Sequence, residues 1–178
     1  MIFRMSRILR SIARKIEPLG IYVQPYTRIG GVDKHMMCPL IYAKVQTDGS
    51  FYHNTGMSRV AMILTTADKN SELKHMKTIS TCVDSTETEW ASVSQGLLFA
   101  LENNERTIAI ENDNLGVVSS LILSDNVPKK DYAKYYRYII LGLTAKTEWT
   151  GIRWIPREMN LADGLFRGNK GAVSKKLN

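Results

Sequence analysis

The stretch Ile41–Ser50, IYAKVQTDGS, has the alternation of a β-strand that leads into a turn. Small or apolar side chains occupy the odd positions from 41 to 47, and larger or polar ones occupy the even positions from 42 to 48. This period of two is typical of a strand whose two faces are covered differently. We expect Asp48 to be the last residue of the strand, because Gly49 and Ser50 are turn residues.

Two more strands are predicted directly after the first. Short polar segments separate them, GSFYHNTG before MSRVAMILTT at 57–66 and ADKNSE before LKHMKTISTCV at 73–83. Sequential strands joined by short turns pair antiparallel, so the first three strands are expected to form a meander.

A helix is predicted next, over DSTETEWASVSQGLLFALENN at 84–104. Its start can be capped by Asp84, Ser85 or Thr86. Its apolar stripe consists of Trp90, Val93, Leu97 and Leu101.

The remaining pattern alternates helices and strands. It comprises the strand TIAIE at 107–111, a helix at about 114–123, a helix over 131–146, the strand GIRWI at 151–155 and a short helix from Leu161. The order βββαβααβα predicts an α/β fold. We expect a five-stranded mixed sheet, with three antiparallel strands and then two parallel ones, flanked by helices.

Four acidic residues, each at the expected end of a strand or start of a helix, are candidate metal ligands: Asp48, Glu89, Asp113 and Asp163. Four carboxylates brought to one point would repel each other unless cations lie between them. The residues alone leave choices open. Periodicity does not separate Glu89 from Glu87, and Glu111 and Asp113 both lie near the end of the fourth strand. Any single acid could also be structural and only cap or end an element.

The segments around these acids resemble the type 1 ribonuclease H family, in the short form seen in plant-type and retroelement domains. The resemblance covers about residues 40 to 167 and rests on four motifs in order. They are TDGS at the first strand, TETEWASVSQGL at the first helix, IENDN after the fourth strand and WIPREMNLADGLFR at the end. It implies a ribonuclease H-like fold and selects Glu89 and Asp113 from the alternatives.

The resemblance also implies an activity, which is hydrolysis of the RNA strand of RNA/DNA hybrids with two Mg²⁺ ions, or Mn²⁺ as a substitute. Asp48 would bridge both ions, Asp163 would complete the ion on the nucleophile side, and Glu89 with Asp113 would hold the ion on the leaving-group side. Hard cations of this kind prefer carboxylate oxygens. Glu89 would also lie near the RNA 2′-hydroxyl.

Further site residues follow from the same resemblance. The substrate contacts would be Gly49, Ser50, Asn114, Arg157 and Asn160. Many family members carry a His or Glu on a loop before the last Asp. This chain has no His after His75, so Glu158 is the candidate auxiliary residue.

A further predicted helix is a candidate surface for substrate binding. Cations and tyrosines alternate in one predicted helix, Lys129, Lys130, Lys134 and Arg137 with Tyr132, Tyr135, Tyr136 and Tyr138. They could contact phosphates and stack on bases, or the tyrosines could pack inward while the cations are solvated.

Two other functions also stay open, a DNA nuclease or resolvase of the same fold and a non-catalytic nucleic-acid-binding scaffold.

Composition is consistent with a nucleic-acid partner. The 178 residues carry a formal net charge of +7 with a pI near 9.4, which favours binding to a polyanion.

Neither cysteine pairing nor a zinc motif is indicated. No apolar run approaches the roughly 20 residues that span a bilayer. We expect a soluble, intracellular protein without a membrane partner, in the cytoplasm unless imported into an organelle, and a monomer.

Domain organisation is expected in three parts. Residues 1–39 form a basic N-terminal extension and linker, residues 40–168 the ribonuclease H-like domain, and residues 169–178 a tail. Arginines and apolar residues recur at helical spacing in 1–16. This amphipathic arm could grip nucleic acid, act as a transit peptide or pack on the domain.

Overall fold

The computed structural model describes residues 25–30, 38–123 and 126–168. The amphipathic arm and the C-terminal tail expected from the sequence lie outside these residues. In chain order the elements are β1 (Thr27–Arg28), β2 (Ala43–Tyr52), β3 (Met57–Thr65), β4 (Glu72–Ile79), α1 (Ser85–Glu102), β5 (Thr107–Asn112), α2 (Leu115–Ile122), α3 (Asp131–Thr144), β6 (Trp149–Trp154), a 3₁₀ turn (Arg157–Met159) and α4 (Leu161–Gly168).

One mixed sheet organises these elements, in the order β1-β6-β5-β2-β3-β4. Strands β2, β3 and β4 pair antiparallel, and β5 pairs parallel with both β2 and β6. The predicted element order and mixed sheet are confirmed. The strand count is corrected from five to six, because Thr27–Arg28 pairs antiparallel with β6. Two residues are too few to show the period of a strand.

Strand β3 shows why the sheet is covered on both faces. Val60, Met62 and Leu64 belong to the main core, which they share with α1, α2 and α3. Ala61 and Ile63 point to the opposite face, where they pack with residues of α4. Because successive side chains of a strand alternate between faces, one apolar strand supports two helical layers.

The hairpin of β2 and β3 extends further than the sequence predicted. Asp48 was expected to end its strand, but β2 continues to Tyr52, whose register partner is Met57. The parallel pairing of β2 with β5 stops at Gln46. Asp48 therefore lies inside β2 but beyond the last pair with β5. The turn residues Gly49 and Ser50 are compatible with a strand here because the antiparallel partner β3 supplies their backbone hydrogen bonds.

Helix α3 combines both arrangements considered for its tyrosines. Tyr132 and Tyr136 pack against the main core, whereas Tyr135 and Tyr138 are 62% and 79% exposed. Lys129, Lys130 and Lys134 are exposed as well, whereas Arg137 is half-buried and donates to the Ser120 carbonyl. Within the described part of the chain, no helix is both long enough and apolar enough to cross a membrane.

Candidate metal centre

Asp48 and Glu89 meet because β2 passes unusually close to the first turn of α1. A Cβ atom added to Gly49 would lie 2.7 Å from the Thr88 carbonyl oxygen and 2.9 Å from the Glu89 nitrogen. Contacts below 3.0 Å with backbone atoms cannot be relieved by a side-chain rotation. Packing therefore requires glycine at position 49. This packing places the strand that carries Asp48 against the helical turn that carries Glu89.

Three carboxylates converge at this point. Oxygens of Asp48, Glu89 and Asp113 all lie within 4.8 Å of one another. Asp48 is 5% exposed. Oxygens at this spacing can coordinate one hard divalent cation, which takes carboxylate ligands at about 2.0–2.6 Å.

The electrostatics of the group are those of like charges removed from water. Burial, followed by the nearby charges of Asp113 and Asp163, raises the pKa of Asp48 to about 7. Burial, followed by Asp48 and Asp113, raises the pKa of Glu89 to about 8. Both carboxyl groups stay protonated to a higher pH than exposed carboxyl groups do, because ionising them at this place is unfavourable. A cation bound between them would offset that cost.

Glu89 gives independent evidence that the group fits a cation. Its Oε2 atom is buried and, among the described residues, has no hydrogen-bond partner. Buried carboxylate oxygens are nearly always hydrogen-bonded or bound to metal. The donor set contains only oxygen and includes neither His nor Cys, which suits Mg²⁺ or Mn²⁺ rather than zinc.

The fourth predicted ligand, Asp163, is not part of the three-carboxylate group. Its Oδ1 accepts a hydrogen bond of 2.9 Å from Arg157, and its Oδ2 accepts one from Arg167. Burial acts to raise the pKa of Asp163, but the bonds to Arg157 and Arg167 outweigh it and lower the pKa. Asp163 is nevertheless close enough to raise the pKa of Asp48.

The competing glutamates have structural roles instead. Glu87 accepts a bond of 2.7 Å from the Val83 backbone nitrogen, and the Glu87 nitrogen donates to the Asp84 side chain, so both residues cap α1. Glu111 accepts hydrogen bonds from Tyr26, Gln46 and Arg153. Burial acts to raise the pKa of Glu111, but the bonds from Gln46 and Arg153 lower it overall.

Asp113 is not a helix cap either. Asn114 fills that role at α2, because its side chain accepts a bond of 3.2 Å from the Val117 nitrogen. The Asp113 carboxylate is thus free of a capping role and lies near those of Asp48 and Glu89. Its Oδ1 accepts a hydrogen bond of 3.1 Å from the Asn160 side chain.

Two amide side chains that the sequence analysis did not select hold the site together. Asn112, fully buried, donates to the carbonyl and the hydroxyl of Thr47 at 3.1 Å each. Gln46 donates to the Met159 carbonyl and accepts from the Leu161 nitrogen, which anchors the segment before Asp163. A polar residue at the end of the apolar strand TIAIEN was the available signal for Asn112.

The expected substrate residues are distributed around the group. Asn160 is buried and donates to the Thr47 carbonyl as well as to Asp113. Ser50 is half-buried in β2, opposite Arg59. Arg157 and Glu158 are exposed in the 3₁₀ turn. The expected roles of these residues stay predictions.

The fold and the three-carboxylate group define a ribonuclease H-like domain. The sequence pattern of the family described as reverse transcriptase-like matches residues 46–164, and this chain belongs to that family. None of the curated protein sequences compared with the chain matches it.

Solved structures agree on the fold. RNase H1 from the halophilic archaeon Halobacterium salinarum NRC-1 superposes with a TM-score of 0.62 and 21% identity, over 69% of this chain and 92% of that one. The N-terminal RNase H domain of a Mycobacterium tuberculosis protein gives 0.60 and 18%, over 75% of this chain and 99% of that one. LC11-RNase H1, solved in complex with an RNA/DNA hybrid, gives 0.58 and 18%, over 69% and 92%.

Proposed function

We propose that this protein is an endoribonuclease that hydrolyses the RNA strand of RNA/DNA hybrids with two divalent cations. The observation that carries the proposal is the group of Asp48, Glu89 and Asp113, with one buried Glu89 oxygen that lacks a partner among the described residues. The net charge of +7 supports a polyanionic substrate. A similar structure that contains an RNA/DNA hybrid supports the choice of substrate.

Each acid has a proposed role. Asp48, Glu89 and Asp113 would hold one cation, and Asp163 with Asp48 would hold the second. Mg²⁺, or Mn²⁺ in its place, would lower the pKa of the attacking water and neutralise charge on the leaving oxygen. Since Asp48 and Glu89 have raised pKa values, cation binding must displace their protons, and affinity should rise with pH.

A groove beside the group offers contacts for a nucleic-acid backbone. Its lining includes Thr86, three residues before Glu89, and Asn114, next to Asp113. It also includes Lys129 and Lys130, just before α3. Lysines at this position can contact phosphates without reading sequence. We assign discrimination of RNA to Glu89, which would lie near the 2′-hydroxyl of the scissile strand.

The test is cleavage of matched RNA/DNA, RNA/RNA and DNA/DNA duplexes in Mg²⁺, in Mn²⁺ and in EDTA. We expect cleavage of the RNA strand of the hybrid in either metal and none in EDTA. The variant Asp48→Asn should lose this cleavage while retaining the fold and hybrid binding. Asp68→Asn makes the same chemical change in the exposed β3–β4 turn and should leave cleavage intact.

Three results would contradict the proposal. Cleavage retained by Asp48→Asn would place the metal site elsewhere. Faster cutting of four-way DNA junctions than of hybrids would indicate a resolvase. Wild-type protein without cleavage and without Mn²⁺ binding would indicate a non-catalytic scaffold.

A further inference from the structure

The two arginines that bind Asp163 lie on its solvent side. Asp163 has 12% of its side chain exposed, whereas Arg157 and Arg167 have 71% and 74% exposed. Arg157 belongs to the 3₁₀ turn before Asp163, and Arg167 lies one helical turn after it in α4. Each arginine binds a different oxygen of the carboxylate. Both carboxylate oxygens of Asp163, a predicted metal ligand, are therefore paired with protein cations.

Arg157 also acts on the rest of the acidic group. It is close enough to Asp48 and Glu89 for its positive charge to act on both carboxyl groups. Arg157 is thus a resident monovalent cation at the edge of the three-carboxylate group. A divalent cation bound between Asp48 and Asp163 would have to compete with it.

The two halves of the site differ in what a cation must displace. At Asp48, Glu89 and Asp113 it finds three carboxylates close together, one of which has an oxygen without a hydrogen-bond partner among the described residues. At Asp163 it must break two guanidinium–carboxylate pairs, which are charge-assisted hydrogen bonds. Because both arginine side chains are mostly exposed, they can move into water without a change in the fold.

We propose that Arg157 and Arg167 form a cationic latch on Asp163, so that this site binds divalent cations in two unequal steps. The first cation binds to Asp48, Glu89 and Asp113. The second binds only as the arginines release Asp163, and with lower affinity. This inference rests on the metal site of the proposed function, but it concerns the order and strength of binding rather than the reaction.

The test is a titration of the full chain with Mn²⁺ at pH 8 and low ionic strength, followed by electron paramagnetic resonance of free Mn²⁺ and by calorimetry. Wild type should show one tight and one weaker site. Arg167→Ala should tighten the weaker site about fivefold, the change expected when an ion pair worth about 1 kcal/mol is removed, and should change the tight site much less. Asp163→Asn should eliminate the weaker site alone.

Arg106→Ala is the matched control. It removes the same charge from an exposed position beside the start of β5, whereas Asp113 follows the end of that strand. Both sites should keep wild-type affinity in this variant. Circular dichroism of each variant checks that the fold is retained.

The latch is refuted if Arg167→Ala and Arg106→Ala change both sites equally, because the effect would then be general electrostatics. It is also refuted if Asp163→Asn removes the tight site. Failure of the latch and failure of the nuclease proposal are distinguishable. Two-step binding without hybrid cleavage would support the latch and contradict the nuclease, and cleavage with unaltered Mn²⁺ binding in Arg167→Ala would do the reverse.

Discussion

Replacing Glu89 with glutamine is expected to stabilise the metal-free protein, by an amount that grows with pH. The folded-state pKa of Glu89 is about 8, above the ordinary value of 4.5 for glutamic acid. A carboxyl with a raised pKa favours the folded state only while it is protonated. Its contribution is therefore full below pH 4.5 and is lost as the pH rises to about 8. Glutamine stays neutral and avoids this loss.

The magnitude follows from the interval between the two pKa values. Each pKa unit is worth about 1.4 kcal/mol, so an interval from 4.5 to about 8 has an upper limit of roughly 5 kcal/mol. Part of this is repulsion shared with Asp48, whose pKa is itself raised to about 7, and the shared part must be counted once. We expect about 2–4 kcal/mol at pH 9 and almost none at pH 4, which corresponds to roughly 4–16 °C in Tm for a chain of this size.

The assay is thermal and urea unfolding of both proteins in EDTA at pH 4, 7 and 9. Glu102→Gln serves as control, because it changes an exposed acid at the other end of the same helix and should show little pH-dependent gain. Saturating Mg²⁺ should reduce or reverse the advantage of Glu89→Gln, since only wild type keeps all three ligands. A pH profile identical to that of the control, or a loss of stability at pH 9, would refute the electrostatic account of the site.

Other predictions concern packing and the choice between acids. Gly96→Ala should destabilise the fold by about 1–3 kcal/mol, because the new Cβ would lie 2.3 Å from the Thr47 methyl group. Thr47→Ser removes that methyl, so in its background most of the cost should vanish, and equal costs in a urea-unfolding double-mutant cycle would contradict this contact. Glu111→Gln should lower stability by roughly 3–5 kcal/mol by breaking the buried pair with Arg153, yet retain Mn²⁺ binding. Loss of Mn²⁺ binding in a folded Glu111→Gln protein would mean that Glu111, rather than Asp113, is a ligand.

The course of the chain was largely predictable from local patterns. The periods of two and 3.6 residues placed the strands of the meander and the helix at 84–104, because each apolar face must be buried against another layer. The limits of elements were less predictable. Strand β1 was missed because its two residues are held only by pairing with β6, and β2 was predicted too short because its last residues depend on β3.

The site was predictable as a set of acids but not as an arrangement. The resemblance selected Glu89 over Glu87 and Asp113 over Glu111, and the structure supplies the physical reason. Glu87 is engaged at the start of α1, and Glu111 is paired with Arg153. The functional assignment of each acid stays a prediction for the experiments above.

The amino-acid sequence by itself determined the order of the elements, the two-faced character of the central strands and a short set of candidate ligands, because these depend on spacing along the chain. Only the tertiary structure decided which carboxylates share one point. That outcome depends on close packing between distant segments, such as Gly49 against Thr88. It also depends on Arg157 and Arg167, which each pair with Asp163. Charges separated by tens of residues interact through space, and their balance is set where the fold brings them together.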